Sequence, residues 1–288
     1  DVYKRQTYRR YRNLITSYLM NQPASLNSYT LNNGVQLVAF HPLILGTFQN
    51  RMEKMNFIVD LVVTRHLTTF THSVMVSYLA EAIGKHILAA RPELLRIPSS
   101  YLTGNIYASP AEVLDYIVPA ALFHDIGKNG MIPIINTQHR KLNDYEFNII
   151  QTHPQKGSDY LSSDPDFLIY QPVALGHHRS YDGTRGYPLS FDNTASPYRD
   201  AIYLIHICDC LDAATDYLSR NYHRAKPFDV VLNELKAGRG TEYNPDMVDV
   251  ILSDRELYND LKMLTEQNRE NIYYDIYLTF VNLRKKRQ

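Results

Sequence analysis

The chain of 288 residues has no tryptophan and only two cysteines, Cys208 and Cys210. Two thiols cannot build a disulfide framework, so a reducing, cytoplasmic compartment is expected. An excess of either charge is also missing: Lys plus Arg number 30 and Asp plus Glu 30. Binding to DNA or RNA by bulk phosphate attraction needs a basic excess, so no nucleic-acid partner is expected. No apolar run reaches the ~18 residues that a membrane helix needs, which excludes such a span in this piece. The chain opens on Asp1 without a secretory leader pattern, and reads as a fragment of a longer protein. Residues 1–6 resemble an adaptor remnant and are given no biological weight. What is present is 44% hydrophobic residues against 21% charged, enough apolar material for a sizeable core. Histidine, at 11 residues, is the informative count, because its members are unevenly placed.

From Phe48 onward the pattern is helical almost to the end. Ser109-Pro110-Ala111-Glu112 combines an N-cap serine, a proline at the first helical position and a glutamate three residues after the cap. Asn143 to Glu146 repeats that logic, and Asn244-Pro245 opens another helix. Gly176 to Ser196 turns to Gly, Pro, Asp, Asn and Ser and reads as one long loop, more often functional than idle at that length. Tyr3 to Met20 reads as a helix. Asn33-Gly34 within Leu31 to Phe40 suggests a small β-hairpin. The expected architecture is all-α, with an N-terminal segment over 1–47, a linker or the end of an upstream domain, and one domain over 48–288. Arg284 to Arg287 reads as a solvated helix end that complements the helix dipole.

His72 shares a helical face with Met75, Val76, Leu79 and Ile83, so its ring points inward. Alone, it is more often a hydrogen-bonded core histidine than a ligand. His124-Asp125 ends the apolar stretch Val113 to Phe123, where a desolvated carboxylate beside an imidazole calls for a compensating cation. The plainer explanation is a surface helix end with Gly127 as its C-cap. His153 is held at a helix junction by Pro154. His177-His178 sits at the corner where the long loop begins. Asp209 lies on the inward stripe of Ile202, Ile205 and Asp212, in a helix expected from about Tyr198 to Leu218. A buried carboxylate there costs several kcal/mol unless partnered. Imidazole with carboxylate is the ligand set of Zn, Fe and Mn ions. Seven such side chains are too many for one tetrahedral ion and suit a two-metal site.

These segments, in this order, resemble the HD-GYP proteins. The residues that carry the likeness are His72-Ser73, His124-Asp125-Ile126-Gly127-Lys128 and Thr152-His153-Pro154-Gln155-Lys156-Gly157. They continue with His177-His178, Tyr181-Asp182-Gly183, Gly186-Tyr187-Pro188 and Cys208-Asp209-Cys210-Leu211-Asp212-Ala213, and close with Gly240 to Pro245. The resemblance covers roughly Phe48 to the end. It implies a helical HD-domain bundle with a long GYP loop and a bacterial phosphodiesterase that opens cyclic di-GMP to a linear dinucleotide. It implies two divalent ions, Fe, Mn or similar. His72, His124, Asp125 and Asp209 would hold one, and His153, His177 and His178 the other, with Asp125 bridging. Lys128 would lie beside the scissile phosphate, with water activated between the ions as the nucleophile. Asp182 and Tyr187 would shape the loop, and the GYP part could contact a partner signalling domain. The chain departs from the family pattern in places. Arg179-Ser180 stands where a glutamate usually follows the two histidines, and one extra residue precedes Gly186. Thr68 occupies the position of a third-metal glutamate, which favours two ions. Arg179 and Arg185 read as solvated loop charges, with a bidentate phosphate contact as the other option. Two other functions are weighed: hydrolysis of another cyclic dinucleotide or nucleotide, and a signalling module without turnover.

Overall fold

The computed structural model describes residues 51, 54–55, 67–99, 107–131, 142–218 and 224–285. The helix expected over Tyr3 to Met20 and the hairpin expected over Leu31 to Phe40 lie outside the described residues. Among the described residues the regular elements are helices, and extended backbone pairs only in isolated bridges such as Arg179 with Gly186. The chain divides into two compact units, Asp1–Phe57 with Asn268–Gln288, and Ile58–Gln267. The first contains the described helix Arg269–Lys285.

The second unit carries α1 (Leu67–Ala90), α2 (Pro110–Phe123), α3 (Asp144–Ile150), α4 (His153–Ser162), α5 (Gln171–Gly176), α6 (Arg199–Thr215), α7 (Phe228–Ala237), α8 (Pro245–Ser253) and α9 (Arg255–Lys262). The capping signals act where they were read. Ser109 accepts from the Glu112 amide while Glu112 accepts from the Ser109 amide, and Asn143 with Glu146 repeats the box at α3. Each such cap contributes about 1 kcal/mol. Asn244 caps α8 by accepting from two amides of its first turn.

Helix α1 is the spine, packed against α2 and α6. Its Met75, Val76, Leu79, Ala80, Ile83 and Ile87 are fully buried, as are Ile117 of α2 and Ile202, Leu204, Ile205 and Leu211 of α6. Burying a side chain of that size stabilises by about 1.5–3 kcal/mol, so the middles of these helices are pinned. On the other side, the turn Ile126–Gly130 packs on α4, and α4 on α5.

Gly127 has a different role from the expected C-cap. It is not one of the glycines with positive φ, which are Gly183, Gly186 and Gly240. A Cβ at Gly127 would fall 1.9 Å from the His153 carbonyl oxygen and 2.5 Å from the Gly157 amide nitrogen. The glycine is there so that two backbones can touch. Helix α6 stops at Thr215, short of the expected Leu218, where Asp216 turns to extended backbone. Among the described residues no helix is long and apolar enough to cross a membrane.

Candidate metal centre

The seven side chains arrive from five places. His72 comes from the middle of α1, His124 and Asp125 from the end of α2, and His153 from the first residue of α4. His177 and His178 follow α5, and Asp209 comes from α6. They form two groups: His72, His124 and Asp209, and Asp125, His153, His177 and His178. Within each group one ligand atom per residue lies within 4.8 Å of the others.

Asp125 joins the groups. Its Oδ2 lies 3.6 Å from Nε2 of both His72 and His124, and its Oδ1 lies 3.1 Å from His153 Nε2 and 3.7 Å from His177 Nε2. One carboxylate thus offers one oxygen to each side. Asp209, in the first group, also reaches the second, with Oδ1 3.0 Å from His72 Nε2 and Oδ2 3.6 Å from His178 Nδ1.

The rings are oriented from behind. Nδ1 of His124 donates to the Ala121 carbonyl at 2.6 Å, His153 to Ile150 at 2.7 Å and His177 to Ala174 at 2.9 Å. In each case the acceptor is three residues back, at a helix end or turn where carbonyls lack helical partners. Each bond leaves Nε2 facing the centre, the arrangement typical of metal-bound histidines. His72 uses a carboxylate instead, with Nδ1 2.6 Å from Asp212 Oδ2.

The residues fit divalent ions. His72 Nε2, His124 Nε2 and Asp125 Oδ1 are buried without a hydrogen-bond partner of acceptable geometry. Orphaned atoms cost free energy, and here the two imidazole nitrogens belong to the first group and Asp125 Oδ1 faces the second, so a cation in each would satisfy them. Charge agrees. Although burial opposes it, Lys128 and His124 hold the Asp125 carboxyl well below its usual range. Against the same opposition, His72 and His178 do so for Asp209. Burial, with His124 and His153 nearby, holds His177 well below the usual imidazole value, so it is neutral as a ligand must be. Burial and His177 do the same for His178. His72 is the exception: Asp209 and Asp212 outweigh its burial and push it up to about 9.

Lys128 Nζ lies 2.5 Å from Asp125 Oδ2, with the lysine side chain 17% exposed against 1% for the aspartate. The ammonium therefore reaches from the pocket edge inward. Tyr187 packs against His178 with its ring tilted, ring centroids 4.5 Å apart. Gly186 allows that return: its φ is +86° and a Cβ there would strike the His178 carbonyl.

Arg179 is not the solvated loop charge expected of it. It is 4% exposed, and its guanidinium donates to the Phe191 carbonyl at 3.1 Å, the Arg185 carbonyl at 2.8 Å and the Gly183 carbonyl. Those bonds commit it to holding the loop's own backbone. Arg185 is 61% exposed and sits 3.5 Å from Glu242. Asp182 accepts from the Ser180 hydroxyl, the Thr184 amide and the Thr184 hydroxyl, which closes the loop tip.

Asp212 is a site residue that the motifs do not single out, although its place three positions after Asp209 on one helical stripe is an available signal. The contact of Asp212 with His72 spans 140 residues and is invisible to local spacing.

A family model described as the HD domain matches residues 69–220, more than half of the chain. The chain belongs to the HD domain family. The HD-GYP resemblance read from its motifs agrees with the relatives of this HD domain. A cyclic di-GMP phosphodiesterase of Vibrio cholerae is 26% identical over 210 residues, 69% of this chain and 41% of the relative. The cyclic di-GMP phosphodiesterase response regulator RpfG of Xanthomonas campestris is 33% identical over 146 residues, 50% of this chain and 37% of the relative. A 3'3'-cGAMP-specific phosphodiesterase 2 of Vibrio cholerae is 25% identical over 203 residues, 69% of this chain and 37% of the relative. The matched region is thus about two fifths of the length of these relatives.

Proposed function

We propose that this chain is a metal-dependent phosphodiesterase that hydrolyses cyclic di-GMP to a linear dinucleotide. The observation that carries the reading is Asp125, whose two oxygens face two separate groups of buried imidazole and carboxylate ligands. Two divalent ions, Fe, Mn or similar, would supply an activated water and neutralise charge developing on the phosphoryl oxygens. His72, His124, Asp125 and Asp209 would hold one, and Asp125, His153, His177 and His178 the other. Lys128 binds a non-bridging phosphate oxygen from the pocket edge, where its ammonium is partly solvated and already anchored by Asp125. Tyr187 walls off His178; burial, then the charges of Asp209 and Asp125, hold its hydroxyl above the usual range, so it stays a neutral donor.

In this reading the phosphohydrolase domain occupies 48–288, residues 1–47 are a linker or the end of an upstream domain, the GYP part of the loop contacts a partner signalling domain, and the protein is cytoplasmic. Relatives named as cyclic di-GMP phosphodiesterases support the substrate. A second substrate, another cyclic dinucleotide, is favoured by one observation: Arg179 is spent on loop carbonyls, so the loop bordering the site is organised differently from the usual His-His-Glu pattern.

The test is a panel of cyclic di-GMP, 3'3'-cGAMP and cyclic di-AMP offered to protein loaded with Mn or Fe. Linear product from cyclic di-GMP above the others is expected. Turnover of none, with metal confirmed bound, rejects the reading. Preference for another member of the panel transfers it to that substrate. D125A should lose both bound metal and turnover.

A further inference from the structure

A histidine outside the seven ligands holds the corner that presents two of them. His206, on α6, is 5% exposed, and its Nδ1 donates to the carbonyl oxygen of His177 at 2.7 Å. That carbonyl belongs to the peptide joining His177 to His178. Fixing it sets the plane of the peptide, and so the directions in which both side chains leave the backbone.

His206 is held in turn. Its Nε2 lies 3.2 Å from Glu242 Oε1, and the ring of Tyr243 packs at 5.4 Å. Glu242 and Tyr243 belong to the connection between α7 and α8. There Gly238 accepts from the amides of Glu242 and Tyr243 at 2.9 and 3.0 Å, and Gly240 adopts φ +76°. The same connection is laced to the long loop. The Tyr181 amide donates to the Glu242 carbonyl at 2.9 Å, and the Asp182 amide donates to the Thr241 carbonyl at 3.0 Å. Arg185 faces the second oxygen of Glu242 at 3.5 Å.

We propose that His206, anchored by Glu242, is a positioning residue for the His177–His178 pair and sets how tightly Asp125, His153, His177 and His178 hold a divalent ion. The assignment rests on the two-metal reading. It makes the α7–α8 connection part of the metal centre, through a chain running Glu242, His206, His177 carbonyl. Removing an outer partner of a ligand commonly weakens metal binding by about 10–100-fold. The loss should fall mainly on this ion, because the two imidazoles of the other group, His72 and His124, are oriented by Asp212 and Ala121, neither of which is a contact of His206.

The experiment is Mn2+ titration of the whole chain by calorimetry, with circular dichroism confirming the fold of each variant. H153A identifies which of two binding classes belongs to this group. H206L and E242A should leave the other class at wild-type affinity and weaken this one about 10–100-fold. H206N should restore it, because the asparagine Nδ2 keeps a donor where Nδ1 stood. If H206L fails to fold, E242A decides, since the Glu242 side chain is 31% exposed. Folded H206L or E242A with two wild-type affinities overturns the proposal, as does H206N behaving like H206L or an equal loss in both classes. A wild-type chain that binds at most one Mn2+ overturns the two-metal reading and this assignment with it. That result is distinct, because failure of the positioning role alone leaves two ions on the wild type.

Discussion

At the scale of single residues, the centre depends on what stands behind each ligand. Asp212 accepts a hydrogen bond from His72 Nδ1, and Asp209 and Asp212 together push that ring up to about 9 against its burial. The direction has a consequence for metal uptake. A raised imidazole is protonated at neutral pH, and an ion needs the bare nitrogen. Mn2+ binding at pH 7 should therefore release close to one proton per chain from His72, and affinity should rise with pH up to about 9. Calorimetry in buffers of different ionisation enthalpy reads the proton directly; uptake without release would contradict the assignment. D212N should abolish most of that release and weaken the ion on the His72 side about 10–100-fold. Asp182 works with the opposite sign. Hydrogen bonds from Ser180 and Thr184 lower its carboxyl from 3.8 to about 2. A depressed carboxyl stabilises the folded loop above its unfolded value and loses that contribution as pH falls through the folded one. The stability difference between wild type and D182N should shrink as pH drops from 3.8 to about 2. A difference that stays constant over that window would show that the cap contributes nothing.

At the scale of elements, the candidate ligands sit where helices end or on the buried faces of α1 and α6. His124, His153 and His177 lie at helix boundaries and use carbonyls three residues earlier, which the boundary itself leaves available. The turn Ile126–Gly130 must lie against α4 to bring Asp125 to His153, and Gly127 permits that approach. G127A inserts a methyl against backbone that cannot rotate away. A cost of about 1–3 kcal/mol or more is expected from overpacking, together with loss of metal, because Asp125 and His153 are displaced together. Thermal melting with elemental analysis checks both; a G127A protein that melts like wild type and keeps its ions would mean that the turn adapts freely. The helices and their caps were legible locally, through Ser109-Pro110, Asn143 and Asn244. The role of Gly127 was not, because a C-cap and a close crossing look the same in sequence.

At the scale of the whole molecule, α1, α2, α4, α5 and α6 are tied by convergence on one pocket. Unliganded, that pocket concentrates orphaned imidazole nitrogens and ionised carboxylates. A metal that binds only the folded chain stabilises it by about 2.7 kcal/mol at one hundred times its dissociation constant. For a domain of this size that corresponds to roughly 5–11 °C in Tm. Chelation should lower the melting temperature by that order, and Mn2+ should restore it. A melt indifferent to chelator, on protein shown beforehand to carry metal, would mean that the ions are not linked to folding.

Sequence alone determined the helical class and the capped helix starts, because helical spacing and capping chemistry are local properties, and it singled out seven candidate ligands through the cost of burying an unpaired carboxylate and the family resemblance. Tertiary structure decided which oxygen of Asp125 faces which group, that Asp212 and His206 stand behind His72 and His177, and that Arg179 is spent on carbonyls. Those contacts join residues as far as 140 positions apart, and in a folded chain the partner is chosen by how helices pack, not by what lies nearby along the backbone.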